Sequence, residues 1–280
     1  TGQAPKLKCQ YHGWEFGEDG NTRKIPDAKS FKPLEPGILG LRKYRCETVG
    51  QCIFVTLNDQ APPLKEYLGP GYDLIAEVSN APWEAMGGGD RTMDCNWKRY
   101  LENTAESYHA EAVHPTTLKD IPTEKTCRHF FGDRWSKLQT CGKPDNLDRM
   151  DLFAHKWLQA ERDPDYHNLL IYPNIAVGKM SLFSWVDQVL PVGPNKLQII
   201  ARGFSKTGIS KRLRARIMKW MVRRWGSNFL AQLVSEDAHV LPDIQRDLRA
   251  PAQPKGGLIS AREERVFHFQ RFIEREVAAA

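Results

Sequence analysis

Two short runs of this sequence hold side chains of the right types and spacing to bind metal. Residues 9–14, CQYHGW, offer a thiol at Cys9 and an imidazole at His12. A thiolate suits soft iron, and a neutral imidazole at this spacing can serve the other iron of a two-iron cluster. Two His in place of two Cys on one iron raise the reduction potential above that of an all-Cys cluster. Structural zinc sites share the Cys-x-x-His spacing, so these residues alone leave both metals open. Residues 102–115, ENTAESYHAEAVHP, add carboxylates and the imidazoles of His109 and His114. Two imidazoles and one carboxylate hold a divalent metal on one side and leave its other positions open.

Helical patterning is expected from about Trp97 to His109. Five positions advance an ideal helix by about 500°, which would leave the two imidazoles about 140° apart. Both can face one metal only if the helix ends or unwinds near His109, and Pro115 agrees with an ending. Upstream, the Asp-Gly turn in EFGEDGNTRKIP separates two strand-like pieces, and YRCETVGQCIFVTL reads as two strands around Gly50. The apolar, β-branched run at 52–57 predicts a buried strand with Cys52 as core packing. The Pro/Gly-rich stretch 59–73, DQAPPLKEYLGPGYD, reads as a boundary between a domain of about residues 1–60 and one of 61–280. Beyond it the pattern is α+β, with strands at NLLIYPNIAVG, SLFSWVDQVLP and KLQIIARGF and long helices filling 210–248.

Composition narrows the class. With 41% hydrophobic and 26% charged residues, the chain is an ordinary globular sequence. No apolar run approaches the length of a membrane span, and the N-terminal residues lack the apolar region of a signal peptide. A cytoplasmic protein with its six cysteines mostly reduced is expected. The net charge of +6 owes much to residues 210–225, SKRLRARIMKWMVRRW, which contain no acid. That segment is read as a solvated helix face or a docking site for an acidic partner, rather than a nucleic-acid site.

Tyr11, Gly13 and Trp14 around the Cys-x-x-His resemble the second ligand box of Rieske [2Fe–2S] domains, and VGQCIFVTLN resembles the strand that closes such a domain. The pattern N-W-K-x3-E-N-x2-E-x-Y-H-x4-H resembles the iron-binding segment of Rieske non-haem iron oxygenase α subunits, the aromatic-ring-hydroxylating family. The resemblance runs from about Cys9 to Phe272. It implies a partial, all-β Rieske domain followed by a helix-grip domain, in which a curved antiparallel sheet wraps a long helix with the iron inside. The family's first box, Cys-x-His, has no counterpart here. The sequence is therefore expected to begin partway through the Rieske domain, with Cys9 and His12 as half of the cluster's ligands.

The resemblance also implies a third iron ligand, an Asp in an acidic pair eight residues before a Gln. SEDAHVLPDIQ supplies Asp237, beside Glu236 and eight residues before Gln245; Asp243 is the competitor but follows a Pro and lacks the pair. Asn103 is expected to line the iron pocket, Tyr108 either to hydrogen-bond near it or to pack, and Asn174 to mark the strand lining the substrate cavity. Glu106 stands where the family's bridging carboxylate relays electrons from one subunit's cluster to the neighbour's iron. A Glu at this place, rather than Asp, is similar to monooxygenases of quaternary amines such as carnitine and glycine betaine. The implied enzyme uses mononuclear Fe(II), a [2Fe–2S] cluster and O2 to mono- or dioxygenate a small organic substrate. Its expected partners are an NAD(P)H-dependent reductase, acting directly or through a ferredoxin, and two further copies of itself in a homotrimer. Two rival readings are a zinc hydrolase built on His109, His114 and Asp237, and a metal-free helix-grip carrier of hydrophobic ligands.

Overall fold

The computed structural model describes residues 4–32, 39–118, 126–140, 148–248, 250 and 259–279; Cys141 lies outside them. The chain divides into two compact units, Thr1–Glu47 with Ile53–Pro62, and Thr48–Cys52 with Pro63–Ala280.

In the first unit, β1 (Leu7–Lys8), β2 (Glu15–Phe16) and β3 (Thr22–Lys24) form a small antiparallel sheet. Asp19 tightens the β2–β3 turn by accepting from the Asn21 backbone at 3.1 Å and side chain at 2.9 Å. β4 (Arg45–Val49) and β5 (Cys52–Thr56), whose connecting residues Thr48–Cys52 group with the second unit, pair on either side of Gly50, whose φ of +55° favours glycine. Burial along β5 alternates, with Ile53 and Val55 exposed and Cys52 only half-buried. This corrects the expectation of a buried strand. A two-stranded ribbon covers one face of its apolar residues, whereas the run of β-branched residues suggested cover on both.

In the second unit, the Pro/Gly-rich stretch folds into α1 (Leu64–Leu68) and α2 (Pro70–Ser79) instead of a bare linker. Pro63 precedes the first helix and Pro70 opens the second, positions where a missing N–H costs nothing. There follow β6 (Trp83–Met93), α3 (Trp97–Ala105), α4 (Ala110–Val113), β7 (Cys127–Gly132), β8 (Trp135–Thr140) and α5 (Asp148–Leu158). Then come β9 (His167–Ile171), β10 (Ile175–Lys179), β11 (Phe183–Gly193), β12 (Lys196–Lys206), α6 (Leu213–Asp247) and α7 (Glu264–Ala278). The run NLLIYPNIAVG is thus two strands, broken at Tyr172–Asn174, and the basic segment opens a single helix of 35 residues.

The seven strands form one antiparallel sheet in the order β6-β12-β11-β10-β9-β8-β7. Leu170, Ala176, Val189 and Ile199 line one face and pack against Tyr100 and Leu101 of α3, Leu241 of α6, and Phe269 and Phe272 of α7. Further along that face, Phe183 and Trp185 meet Met218 and Val222 of α6. Ser184, on the opposite face, donates to the Val78 carbonyl of α2 at 3.2 Å. The long helix held against an antiparallel sheet is the helix-grip arrangement that the family resemblance implies. Among the described residues, no helix is long and apolar enough to cross a membrane.

Candidate metal centre

The site begins with a helix that stops early. Asn96 caps α3 by accepting from the Lys98 N–H, but the helix closes at Ala105, four residues before the expected end. Glu106 turns to extended backbone there, with φ −123° and ψ 168°. Its carboxylate accepts from the backbone N–H groups of Tyr108 and His109, an alternative to further helical bonds that ends α3. Arg262 holds the same loop from outside, donating to the Ser107 carbonyl and, at 3.2 Å, to the Ser107 hydroxyl. His109 and His114 then flank the single turn of α4. Unwinding between α3 and α4 removes the predicted divergence, and the two rings lie 5.2 Å apart between centroids.

Asp237 enters from the interior of α6. Its Oδ1 lies 3.1 Å from His114 Nε2 and 3.8 Å from His109 Nε2, and the three ligand atoms fall within 4.8 Å of one another. No other such trio occurs among the described residues. Each imidazole is held from behind by a carboxylate: Glu106 Oε1 at 2.5 Å from His109 Nδ1, and Glu236 Oε2 at 2.8 Å from His114 Nδ1. With Nδ1 so engaged, both Nε2 atoms are left for the metal, the usual arrangement behind ligating histidines. Asn103 of α3 donates to Asp237 Oδ1 at 3.0 Å and so orients the carboxylate. Burial alone would lower the His114 pKa, but its hydrogen bonds to Asp237 and Glu236 outweigh burial and raise it. Burial would raise Glu236, yet the donors Thr117, His114 and Gln232 hold it below the usual carboxylate range. Two neutral nitrogens, one carboxylate oxygen and open positions suit Fe(II).

The other residues singled out from sequence lie apart from this trio. Asp243 is exposed and pairs with Arg246. Tyr108 is 63% exposed and lies under the Arg262 guanidinium, 5.5 Å from its ring, so it packs at the surface. Asn174 sits between β9 and β10 and donates to the Val189 carbonyl at 3.0 Å, extending the β10–β11 ladder. Glu236, Thr117 and Gln232 were not assigned roles from sequence. The acidic pair was the available signal, because a buried ligand histidine needs a partner on its second nitrogen.

In the first unit, Cys9 N–H donates to the Trp14 carbonyl at 2.8 Å and Gly13 N–H to the Cys9 carbonyl at 2.9 Å, closing a tight turn with Gly13 at φ +72°. The backbone N–H groups of His12 and Tyr11 bond the exposed Cys9 thiol and lower its pKa, which favours the thiolate a metal requires. Cys9 and His12 suit half of a mixed-ligand cluster; a two-iron cluster takes four such ligands.

Comparison with known proteins gives the family. Residues 78–279 match the family model for the ring hydroxylating alpha subunit (catalytic domain), and residues 1–45 match the Rieske [2Fe-2S] domain. The chain belongs to the ring-hydroxylating α-subunit family. It is 28% identical over 247 residues to the anthranilate 1,2-dioxygenase large subunit of Burkholderia cepacia, covering 76% of this chain and 58% of that one. It is 24% identical over 283 residues to the chloroplastic choline monooxygenase of Beta vulgaris, covering 98% and 59%. The chain thus spans somewhat under two thirds of the length of these relatives. The crystal structure of a quaternary ammonium Rieske monooxygenase with L-carnitine shares its fold, with a TM-score of 0.73 at 15% identity, covering 98% of this chain and 72% of the other.

Proposed function

We propose that residues 61–280 form the catalytic part of a Rieske-type terminal oxygenase that binds one Fe(II) through His109, His114 and Asp237, residues 1–60 being part of its Rieske domain. The observation that carries this reading is the convergence of both imidazoles on Asp237 Oδ1, each backed by its own carboxylate. Bound Fe(II) would supply O2 activation, allowing one or two oxygen atoms to enter an organic substrate. The anthranilate and choline oxygenases among its relatives make aromatic compounds and quaternary amines the two substrate classes to consider.

The chain's own residues do the positioning. Glu106 and Glu236 fix ring orientation and keep the hydrogen of each imidazole on Nδ1. Asn103 donates to Asp237 Oδ1 and so fixes the orientation of that carboxylate. His114 is almost fully buried, and this excludes bulk water from one side of the site. Glu106, which bonds His109 Nδ1 from the loop that follows α3, is the side chain through which a neighbouring subunit is expected to reach the centre. A homotrimer, an NAD(P)H-dependent reductase and, where one is used, a ferredoxin complete the proposed system.

Anaerobic titration with Fe(II), followed by metal analysis, tests the reading. One iron per chain is expected, with loss of more than tenfold in affinity in His109→Ala, His114→Ala and Asp237→Ala. A chain that prefers stoichiometric zinc and hydrolyses esters without O2 would overturn it.

A further inference from the structure

Asp187 is a buried acid that the metal centre does not use. It lies on the sheet face that meets the helices, between Trp185 and Val189 on β11, and retains 5% of its surface. Among the described residues no donor hydrogen-bonds to it. A carboxylate taken from water without a partner is costly and is rarely kept for packing.

Its neighbours across the sheet are small. Register places Ala176 of β10 on one side of Asp187 and Ala201 of β12 on the other, followed by Gly89 of β6. A methyl group built on Gly89 would meet no atom within 4 Å. The carboxylate therefore lies in a row of small residues that ends in open space at the sheet edge. Aromatic rings stand nearby: Tyr166 stacks on Trp185 with centroids 6.2 Å apart and planes at 26°. The phenols of Tyr100 and Tyr166 both feel the charges of Asp187 and of the ligand Asp237, so the two carboxylates act on one interior region.

We infer that Asp187 is a specificity-determining residue of this centre, taking the cationic nitrogen of the organic substrate while the aromatic rings beside it pack against the substrate's carbon groups. The inference rests on the oxygenase reading and narrows its substrate class to organic cations. Burial pushes the Asp187 pKa up to about 7, as it does for a carboxyl taken from water without a partner. A carboxylate paired with a cation inside a protein gains more than one in water, and aromatic faces add to the attraction.

The test uses the 280-residue chain loaded with Fe(II), and calorimetric titration with choline and with its neutral isostere 3,3-dimethylbutan-1-ol. Wild type should prefer choline by about 10- to 100-fold, the order of a close charge pair at reduced dielectric helped by an aromatic face, since the quaternary nitrogen has no hydrogen to donate. Asp187→Asn should bring the two affinities together while iron content stays at the wild-type level. Its melting temperature should hold or rise, because a costly unpaired charge has been removed. Equal affinities in wild type, an undiminished preference in Asp187→Asn, or a fall in melting temperature in both Asp187→Asn and Asp187→Ala would each overturn the inference. The last outcome would make Asp187 a structural group. Loss of preference with iron bound in the wild type sinks this inference alone; a chain without iron that keeps the Asp187-dependent preference sinks the oxygenase reading alone.

Discussion

Replacing Glu236 with Gln tests the second carboxylate of the metal centre directly. Three donors converge on Glu236: His114 Nδ1 at 2.8 Å, the Thr117 hydroxyl at 2.6 Å and the Gln232 amide at 2.9 Å. An amide offers one acceptor oxygen where the carboxylate offers two, so at least one donor is stranded and the charge behind His114 is lost. Loss of such a partner typically weakens metal binding about 10- to 100-fold, or roughly 1.4–2.7 kcal/mol. At Fe(II) equal to about 100 times the wild-type Kd, binding stabilises the fold by about 2.7 kcal/mol; after a 30-fold weakening the gain is about 0.9 kcal/mol. For a unit of this size the difference corresponds to a loss of about 4–7 °C from the iron-induced rise in Tm. Anaerobic melting curves with and without Fe(II) read it, and the metal-free Tm should change little because Glu236 lies near the surface. An unchanged iron-induced rise would refute the reasoning. Complete loss of iron would instead make Glu236 a ligand.

Asp237→Ala should abolish iron binding, whereas Asp243→Ala, which removes an exposed partner of Arg246, should leave it within about twofold, as surface pairs contribute little; metal analysis separates the two. Gly178→Ala should destabilise by about 1–3 kcal/mol in denaturant titration and shift the tryptophan emission, because the added methyl would meet the Trp185 ring at 2.1 Å. Asp187 carries a pH signature whose sign follows from its raised pKa. Between about 3.8 and 7 the folded chain keeps a proton that the unfolded chain releases, so this group's contribution to stability falls as pH rises through that window. The Asp187→Asn variant should therefore gain on wild type from about pH 4 upward and level off above about pH 7, by at most about 4 kcal/mol. A stability difference independent of pH, measured by melting at pH 5 and pH 8, would contradict that assignment.

Much of the site was legible from residue types and spacing. His109 and His114 stood out because imidazoles at that interval, with carboxylates nearby, are metal donors wherever the backbone lets them meet. The geometry of an ideal helix also showed that the backbone had to break between α3 and His114. Where it broke was not legible: the stop at Ala105 depends on the Glu106 carboxylate capping backbone N–H groups and on Arg262, 155 residues beyond Ser107, holding the loop. Strand β6 was hidden by Gly87–Gly89, a composition that argues against a strand taken alone. Ten of its eleven residues are nevertheless held by pairing along β12, with Met86 at the bulge.

What the sequence by itself determined is the kind of chemistry: the donor atoms, the helix that leads to them, and the strand-like runs that follow. These depend on local spacing and on side-chain type. The tertiary structure alone decided which acids stand behind which histidines and which acid stands unpaired. Glu236 reaches His114 across 122 residues, and Asp187 lies in a row of small side chains drawn from β10, β12 and β6. Such neighbours are fixed by strand register and helix packing, in which residues distant along the chain are brought within a hydrogen-bond length, and no local pattern records them.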